Sequence, residues 1–203
     1  MLKLALGGDI IIMNSKIINN ILKNDGVIAF VTDTVWGIGC LPSSKKAVEK
    51  IYKIKHRDAK KPLILMSYDV YPMFDYLEQP ITKAGQILIK KHFPGALTLV
   101  LNKSNNTPDY LTSSLQTVGI RVPDNNTFAE ICKNIDGGVL ATTSANVSGE
   151  PPALTYDEAL SYVGDKVDYI VPSEGFEAQG LASTVAGFKD GQIVVYRQGE
   201  IRI

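Results

Sequence analysis

Cysteine and histidine are scarce, with two of each in 203 residues. Cys40 and Cys132 are too few and too far apart for a disulfide scaffold or a zinc site, and His56 and His92 cannot supply a His-rich metal centre. The acidic residues do not cluster like metal ligands, so no protein-bound metal is expected. Formal net charge is zero, which excludes a whole-surface field for nucleic acid or anionic lipid but allows a local basic groove. No apolar run approaches the roughly 20 residues needed to span a bilayer, so no membrane association is expected. The opening residues, Met1 to Asp9, carry one Lys and a very short apolar run, unlike a cleaved signal peptide. The expected location is the cytoplasm. Familiar nucleotide signatures are also missing. There is no G-x-x-x-x-G-K-[ST] loop and no G-x-G-x-x-G after the first strand. A polyphosphate here would rest on side-chain cations and hydroxyls, with magnesium arriving on the nucleotide.

What is present is an ordinary globular chain, 45% hydrophobic and 21% charged, long enough for one sizeable core. Helical and strand periods alternate along it. Ile17, Ile18, Ile21 and Leu22 form a helical stripe with Gly26 just beyond, and Val27 to Val31 reads as the first strand. Ser43 or Ser44 can cap a helix whose apolar face is Ala47, Val48, Ile51 and Tyr52. Ile81 to His92 reads as a helix with Ala84, Ile87, Leu88 and Lys91 on one side; Thr127 to Ile135 and Tyr156 to Val163 are further helices. Strands are expected at Pro62 to Met66, Leu97 to Leu101, Val118 to Val122, Val139 to Thr143, Tyr169 to Val171, Ser183 to Phe188 and Gln192 to Tyr196. No linker, repeat or low-complexity tract divides the chain. The expectation is one α/β domain, 1–203, around a twisted mixed sheet flanked by helices.

Chemistry-bearing residues gather where strands end. The apolar run Val139 to Thr143 passes into Ser144, Asn146, Ser148 and Gly149. Val27 to Val31 passes into Thr32-Asp-Thr-Val-Trp-Gly-Ile-Gly39. Open α/β sheets bind ligands at the carboxyl ends of their strands. Lys55, Arg57, Lys60 and Lys61 add a cation cluster, and hydroxyls beside cations suit an anionic small molecule. Each feature also has a plain reading. The cations can be a solvated helix end, Ser144 and Asn146 can cap a turn, and Thr32 and Thr34 can be β-formers in a strand tail. Arg121, set between the apolar residues of a strand, needs either a ligand or a structural ion pair.

Seven blocks in order resemble the YrdC-like threonylcarbamoyl-AMP synthases. They are Thr32-Asp-Thr-Val-Trp-Gly-Ile-Gly39, Ile51-Tyr-Lys-Ile-Lys-His-Arg57 with Pro62-Leu63, Phe93-Pro-Gly95, Val118-Gly-Ile-Arg-Val-Pro123, Thr143-Ser-Ala-Asn-Val-Ser-Gly149, Ser183-Thr-Val185 and Tyr196-Arg-Gln-Gly199. The chain is similar to the short, single-domain members. The resemblance implies that L-threonine and bicarbonate form a carbamate, whose oxygen attacks the α-phosphate of ATP. Pyrophosphate leaves, and threonylcarbamoyl-AMP passes to a separate tRNA threonylcarbamoyl transferase complex that modifies adenosine next to the anticodon.

The resemblance further implies that Arg57, Lys61, Thr117, Ser144, Asn146 and Arg197 surround ATP, with Lys55 and Arg57 the catalytic cations. It implies that Thr34, Arg121, Thr142 and Ser183 surround threonine. Departures from the family pattern fall at Met66, where relatives often carry His, at Trp36, where Tyr is usual, at Ala96 for a common Pro, and at Asp58 for Pro. Two other classes stay open: an RNA-binding module with weak tRNA or double-stranded RNA affinity, and a divergent paralogue with another acyl acceptor.

Overall fold

In a computed structural model of the chain, residues 15–56 and 61–203 are described; Met1 to Asp9, Arg57, Asp58 and Lys60 lie outside them. Nine strands of the described residues form one sheet: β1 Ile28–Phe30, β2 Gly37–Cys40, β3 Ile64–Ser67, β4 Leu97–Asn102, β5 Thr117–Arg121, β6 Val139–Ser144, β7 Tyr169–Ile170, β8 Thr184–Lys189 and β9 Gln192–Arg197. Their spatial order is β7-β1-β2-β6-β3-β5-β4-β8-β9. Three pairs, β1·β7, β3·β5 and β4·β8, are parallel and the others antiparallel, so the sheet is mixed as expected. The helices are α1 over 15–23, α2 Lys45–Ile54, α3 Lys83–His92, α4 Asp109–Thr112, α5 Asn126–Lys133 and α6 Tyr156–Val163. Among the described residues no helix is long and apolar enough to cross a membrane.

Strand alternation divides the sheet into two unlike faces. Leu97, Leu99 and Leu101 of β4, Val118 and Ile120 of β5, and Val139 and Ala141 of β6 point to one side. They join Val48 and Ile51 of α2, Leu88 of α3, and Ala159 and Val163 of α6 in the larger core. On the other side, Ile28, Phe30, Met66 and Leu140 meet Ile18 and Leu22 of α1, and Phe128, Ile131 and Cys132 of α5. The Phe30 and Phe128 rings lie 4.9 Å apart, tilted at 45°. This second cover lies over the β1 end of the sheet. The alternate residues of β3 to β6 beyond it face a cavity instead.

Local chemistry explains where elements start. Ser44 resolves the capping choice: its hydroxyl accepts from the Ala47 N–H at 3.1 Å. Thr155 caps α6 reciprocally with Glu158, and that helix spans the expected residues. Two expectations need correction. The apolar side of α3 is not Ala84, Ile87 and Lys91: Ile87 is 57% exposed, and the buried stripe runs through Ile81, Gly85 and Leu88. A glycine counted as neutral displaced the stripe by about one position. The second is β2, a strand absent from those expected, in which two of the four residues are glycine, a poor strand former. Here glycine permits close approach. A Cβ at Gly37 would sit 3.0 Å from Phe30 Cε2, and one at Gly39 would sit 3.1 Å from Phe30 Cε1. The strand is glycine-rich because the Phe30 ring lies across it.

Candidate active site

The cavity has a volume of about 670 Å³, within the range of small-molecule sites. Its floor is the uncovered part of the sheet: Ile64 and Met66 of β3, Thr98 and Val100 of β4, Thr117, Gly119 and Arg121 of β5, and Thr142 and Ser144 of β6. Most are alternate residues on one face, so the site spreads across the sheet, and it also takes in Thr34, Ser144 and Asn146 at the strand ends singled out in the sequence. Strand β6 sits between β2 and β3, which brings Thr142 opposite Ile64 and Gly39 in register. The turn after β1 adds Thr34, and the segment before β8 adds Ala182 and Ser183.

The structure therefore gathers Thr34, Thr117, Arg121, Thr142, Ser144, Asn146, Ser183 and Arg197 on one wall system. It does not place Lys55 there. Lys55 is 1% exposed and its ammonium lies behind the β6 end. Its Nζ donates to the carbonyl of Ser144, to Asn146 O at 2.7 Å and to Asn146 Oδ1 at 2.7 Å. It thus clamps the turn that presents Ser144 and Asn146. The Ser144 hydroxyl donates to Asn146 Oδ1 at 2.7 Å, and the Asn146 amide donates to Glu150 O. Lys61 is exposed, not on the cavity wall, and its carbonyl accepts from the Tyr52 hydroxyl at 2.8 Å. Arg57 lies outside the described residues.

Arg121 is 2% exposed and held at three points. Its Nη2 donates to Asp33 Oδ1 at 2.6 Å, its Nη1 to Thr34 Oγ1 at 2.7 Å and its Nε to Gly95 O at 3.0 Å. Arg121 thus makes a buried ion pair with Asp33 and also lines the cavity. Thr32 Oγ1 donates to Val35 O at 2.7 Å and lies 3.1 Å from Thr34 Oγ1. With the Thr32 proton committed, Thr34 is the donor in that pair and the acceptor from Arg121. Burial pulls the Arg121 guanidinium below its ordinary pKa; Asp33 and Glu200 push it back up and Arg197 pulls it down further. Arg197 is lowered by burial as well. Its Nη2 donates to Ser183 O at 2.8 Å and to Ser183 Oγ at 3.2 Å, and Ser183 Oγ lies 2.8 Å from Thr98 Oγ1. A guanidinium stays charged near neutral pH, so two cations flank the hydroxyl-lined floor.

Sequence reasoning missed Asp33, the Gly95 carbonyl that accepts from Arg121, and Thr98. The signal for Asp33 was its place between two hydroxyls in the Thr32 to Thr34 turn. Thr98 was visible as the polar member of an alternating strand. Of the departures from the family pattern, Met66 lines the cavity. Trp36 does not: it is fully buried in the larger core, edge-on to Tyr156 at 5.8 Å.

Gly119 tests the floor. A Cβ there would lie 2.9 Å from Ile64 Cγ2 and 3.3 Å from Thr98 Cγ2. Gly119→Val is expected to cost about 1–3 kcal/mol of stability through overpacking and to shrink the site. Thermal melting with ligand titration checks both, and a variant with unchanged melting and binding would refute this description of the floor.

The profile of the Sua5/YciO/YrdC family, described as telomere recombination, matches residues 20–199. The chain is 34% identical over 157 residues to the threonylcarbamoyl-AMP synthase of Enterobacter sp. (strain 638), covering 77% of this chain and 82% of that protein. Among solved structures, P. abyssi Sua5 complexed with L-threonine superposes with a TM-score of 0.83 at 29% identity, over 91% of this chain and 54% of that one. The chain thus spans about half the length of that Sua5. E. coli YciO superposes with a TM-score of 0.80 at 26% identity, over 91% of this chain and 90% of that one. By profile, sequence and fold, the chain belongs to the Sua5/YciO/YrdC family.

Proposed function

We propose that the chain is an L-threonylcarbamoyladenylate synthase, an enzyme acting as a nucleotidyltransferase on L-threonine, bicarbonate and ATP. The observation that carries this reading is the convergence of Thr34, Thr117, Arg121, Thr142, Ser144, Asn146, Ser183 and Arg197 on one cavity, in a chain whose curated relatives are named threonylcarbamoyl-AMP synthases. Threonine sits by Thr34, Arg121, Thr142 and Ser183; that P. abyssi Sua5, of the same fold, forms a complex with L-threonine supports the choice of substrate. ATP, with magnesium carried on it, sits by Arg57, Lys61, Thr117, Ser144, Asn146 and Arg197.

The threonine amine adds to bicarbonate with loss of water, giving a carbamate. A carbamate oxygen then attacks the α-phosphorus; the bond to the bridging oxygen breaks and pyrophosphate leaves with its electron pair. The nucleophile is already anionic, so no strong base is needed. The chain's task is alignment, cationic stabilisation of the shifting phosphate charge, and exclusion of water from labile intermediates. Arg57 and Arg197 supply charge, while Lys55 acts by fixing the Ser144 to Asn146 turn. The product goes to a separate tRNA threonylcarbamoyl transferase complex in the cytoplasm.

The test is turnover. Pyrophosphate release is expected only when ATP, magnesium, bicarbonate and L-threonine are all present, with threonylcarbamoyl-AMP identified by mass. Equal release without threonine, or ADP as product, would remove the reading. Release supported better by another amino acid would favour a divergent paralogue.

A further inference from the structure

The Asp33–Arg121 pair has a feature that neither a purely structural ion pair nor a simple ligand-binding arginine explains. A guanidinium carries five N–H bonds. Three are spent on Gly95 O, Thr34 Oγ1 and Asp33 Oδ1. The other two, one on each terminal nitrogen, have no protein acceptor among the described residues, and Arg121 lines the cavity. Asp33 does not line it. At 6% exposure its carboxylate meets the guanidinium of Arg121.

Asp33 is itself fixed from the main chain. Its carbonyl accepts from Gln179 N at 3.2 Å, and the carbonyl of Thr34 accepts from Gly180 N at 3.0 Å. The turn is closed internally by Thr32, whose hydroxyl accepts from the Thr34 and Val35 N–H groups at 3.2 and 3.3 Å. A long arginine side chain ordinarily loses rotamer freedom when it grips a ligand. Here the guanidinium is already held on folding, by Asp33 on one side and by Thr34 and Gly95 on the others.

We propose, resting on the synthase reading above, that Asp33 is the positioning residue for the substrate carboxylate: it holds the Arg121 guanidinium so that its two uncommitted N–H bonds meet the carboxylate of the bound amino acid. Two effects of Asp33 oppose each other, and this makes the idea testable in sign. As an anion beside Arg121 it weakens the pull on an incoming carboxylate. As an anchor it keeps the guanidinium aimed, in a site where burial works against the charge. The anchoring effect dominates, because a guanidinium almost sealed from water has no solvent to replace a lost partner.

The experiment uses calorimetric titration of the full chain with L-threonine and with L-threoninol, whose carboxylate is replaced by a neutral CH₂OH. It compares wild type, Asp33→Asn and Asp33→Glu, with melting temperatures and MgATP affinity measured for each. Wild type is expected to prefer threonine by about tenfold or more, the scale of one charge-assisted contact. In Asp33→Asn, threonine affinity is expected to fall by about tenfold while threoninol and MgATP change by less than about threefold, so the preference collapses. Tighter threonine binding would mean that neutralisation dominates, and equal losses for threonine and threoninol would mean that Asp33 is structural only; either result overturns the proposal. Asp33→Glu keeps the buried charge but moves the carboxylate by one methylene, so it covers the case in which Asp33→Asn does not fold. Its preference for threonine is expected to fall as well, and an unchanged preference overturns the proposal. A wild type that binds neither threonine nor threoninol removes the synthase reading and this inference together. A wild type that discriminates while both variants discriminate equally removes this inference alone.

Discussion

Lys55→Ala is expected to lower turnover by about a hundredfold or more and stability by about 3 kcal/mol or more. The ammonium is sealed from solvent and faces the carbonyls of Ser144 and Asn146 and the Asn146 side-chain oxygen. Removing it leaves those acceptors facing a gap, and a buried unsatisfied polar group costs about 1–3 kcal/mol. The same change frees the turn that carries Ser144 and Asn146 into the cavity. A misplacement of about 1 Å at reacting groups can cost a hundredfold in rate. Lys55→Met, which keeps most of the aliphatic volume, separates packing from charge: it should be nearly as impaired as the alanine variant. Urea unfolding and pyrophosphate release measure the two effects. Near-normal stability in the methionine variant would show that the clamp is not needed to hold the turn.

Arg121→Lys is expected to weaken threonine binding by about 1–3 kcal/mol, between fivefold and a hundredfold or so, with MgATP affinity much less changed. Lysine keeps the charge but has no planar fork. A single ammonium cannot serve Asp33, Thr34 and Gly95 in their present geometry and also meet a ligand. Because the pair with Asp33 is buried, the melting temperature should fall too, so the separation of effects lies in the two ligands rather than in stability. Titration of each ligand into the folded variant decides it. Threonine affinity unchanged within error would take Arg121 out of the amino-acid site.

Elements with strong local signals were legible in the sequence. Leu97 to Leu101, apolar except for Thr98, lies within β4; Tyr156 to Val163 is preceded by Thr155, which forms a capping box with Glu158, and matches α6 residue for residue. Elements whose identity depends on a distant partner were not. Gly37–Cys40 becomes a strand because Phe30 fills the space its glycines leave. The α3 stripe is set by what packs against Gly85, which has no side chain to announce it. The same division holds in the site. Hydroxyls and cations could be named as chemistry, but the sequence holds no record of which side of Lys55 faces the ligand.

The sequence alone determined the type of chemistry available: hydroxyls and guanidinium groups without a nucleophile–base pair or a metal-ligand cluster, spread over seven ordered blocks. It also determined the sheet's two faces, since a period of two along each strand fixes which residues share a side. Tertiary structure decided which of those residues meet. The insertion of β6 between β2 and β3 sets Thr142 beside Ile64, nearly 80 positions away in the chain, and Ser144 beside Gly37, farther still, and pairing at such separations leaves no local trace. It also turned Lys55 inward as a clamp and gave Arg121 a carboxylate partner in Asp33. The physical reason is common to both cases: a charge buried in a folded protein must find acceptors, and only the assembled fold determines where they are.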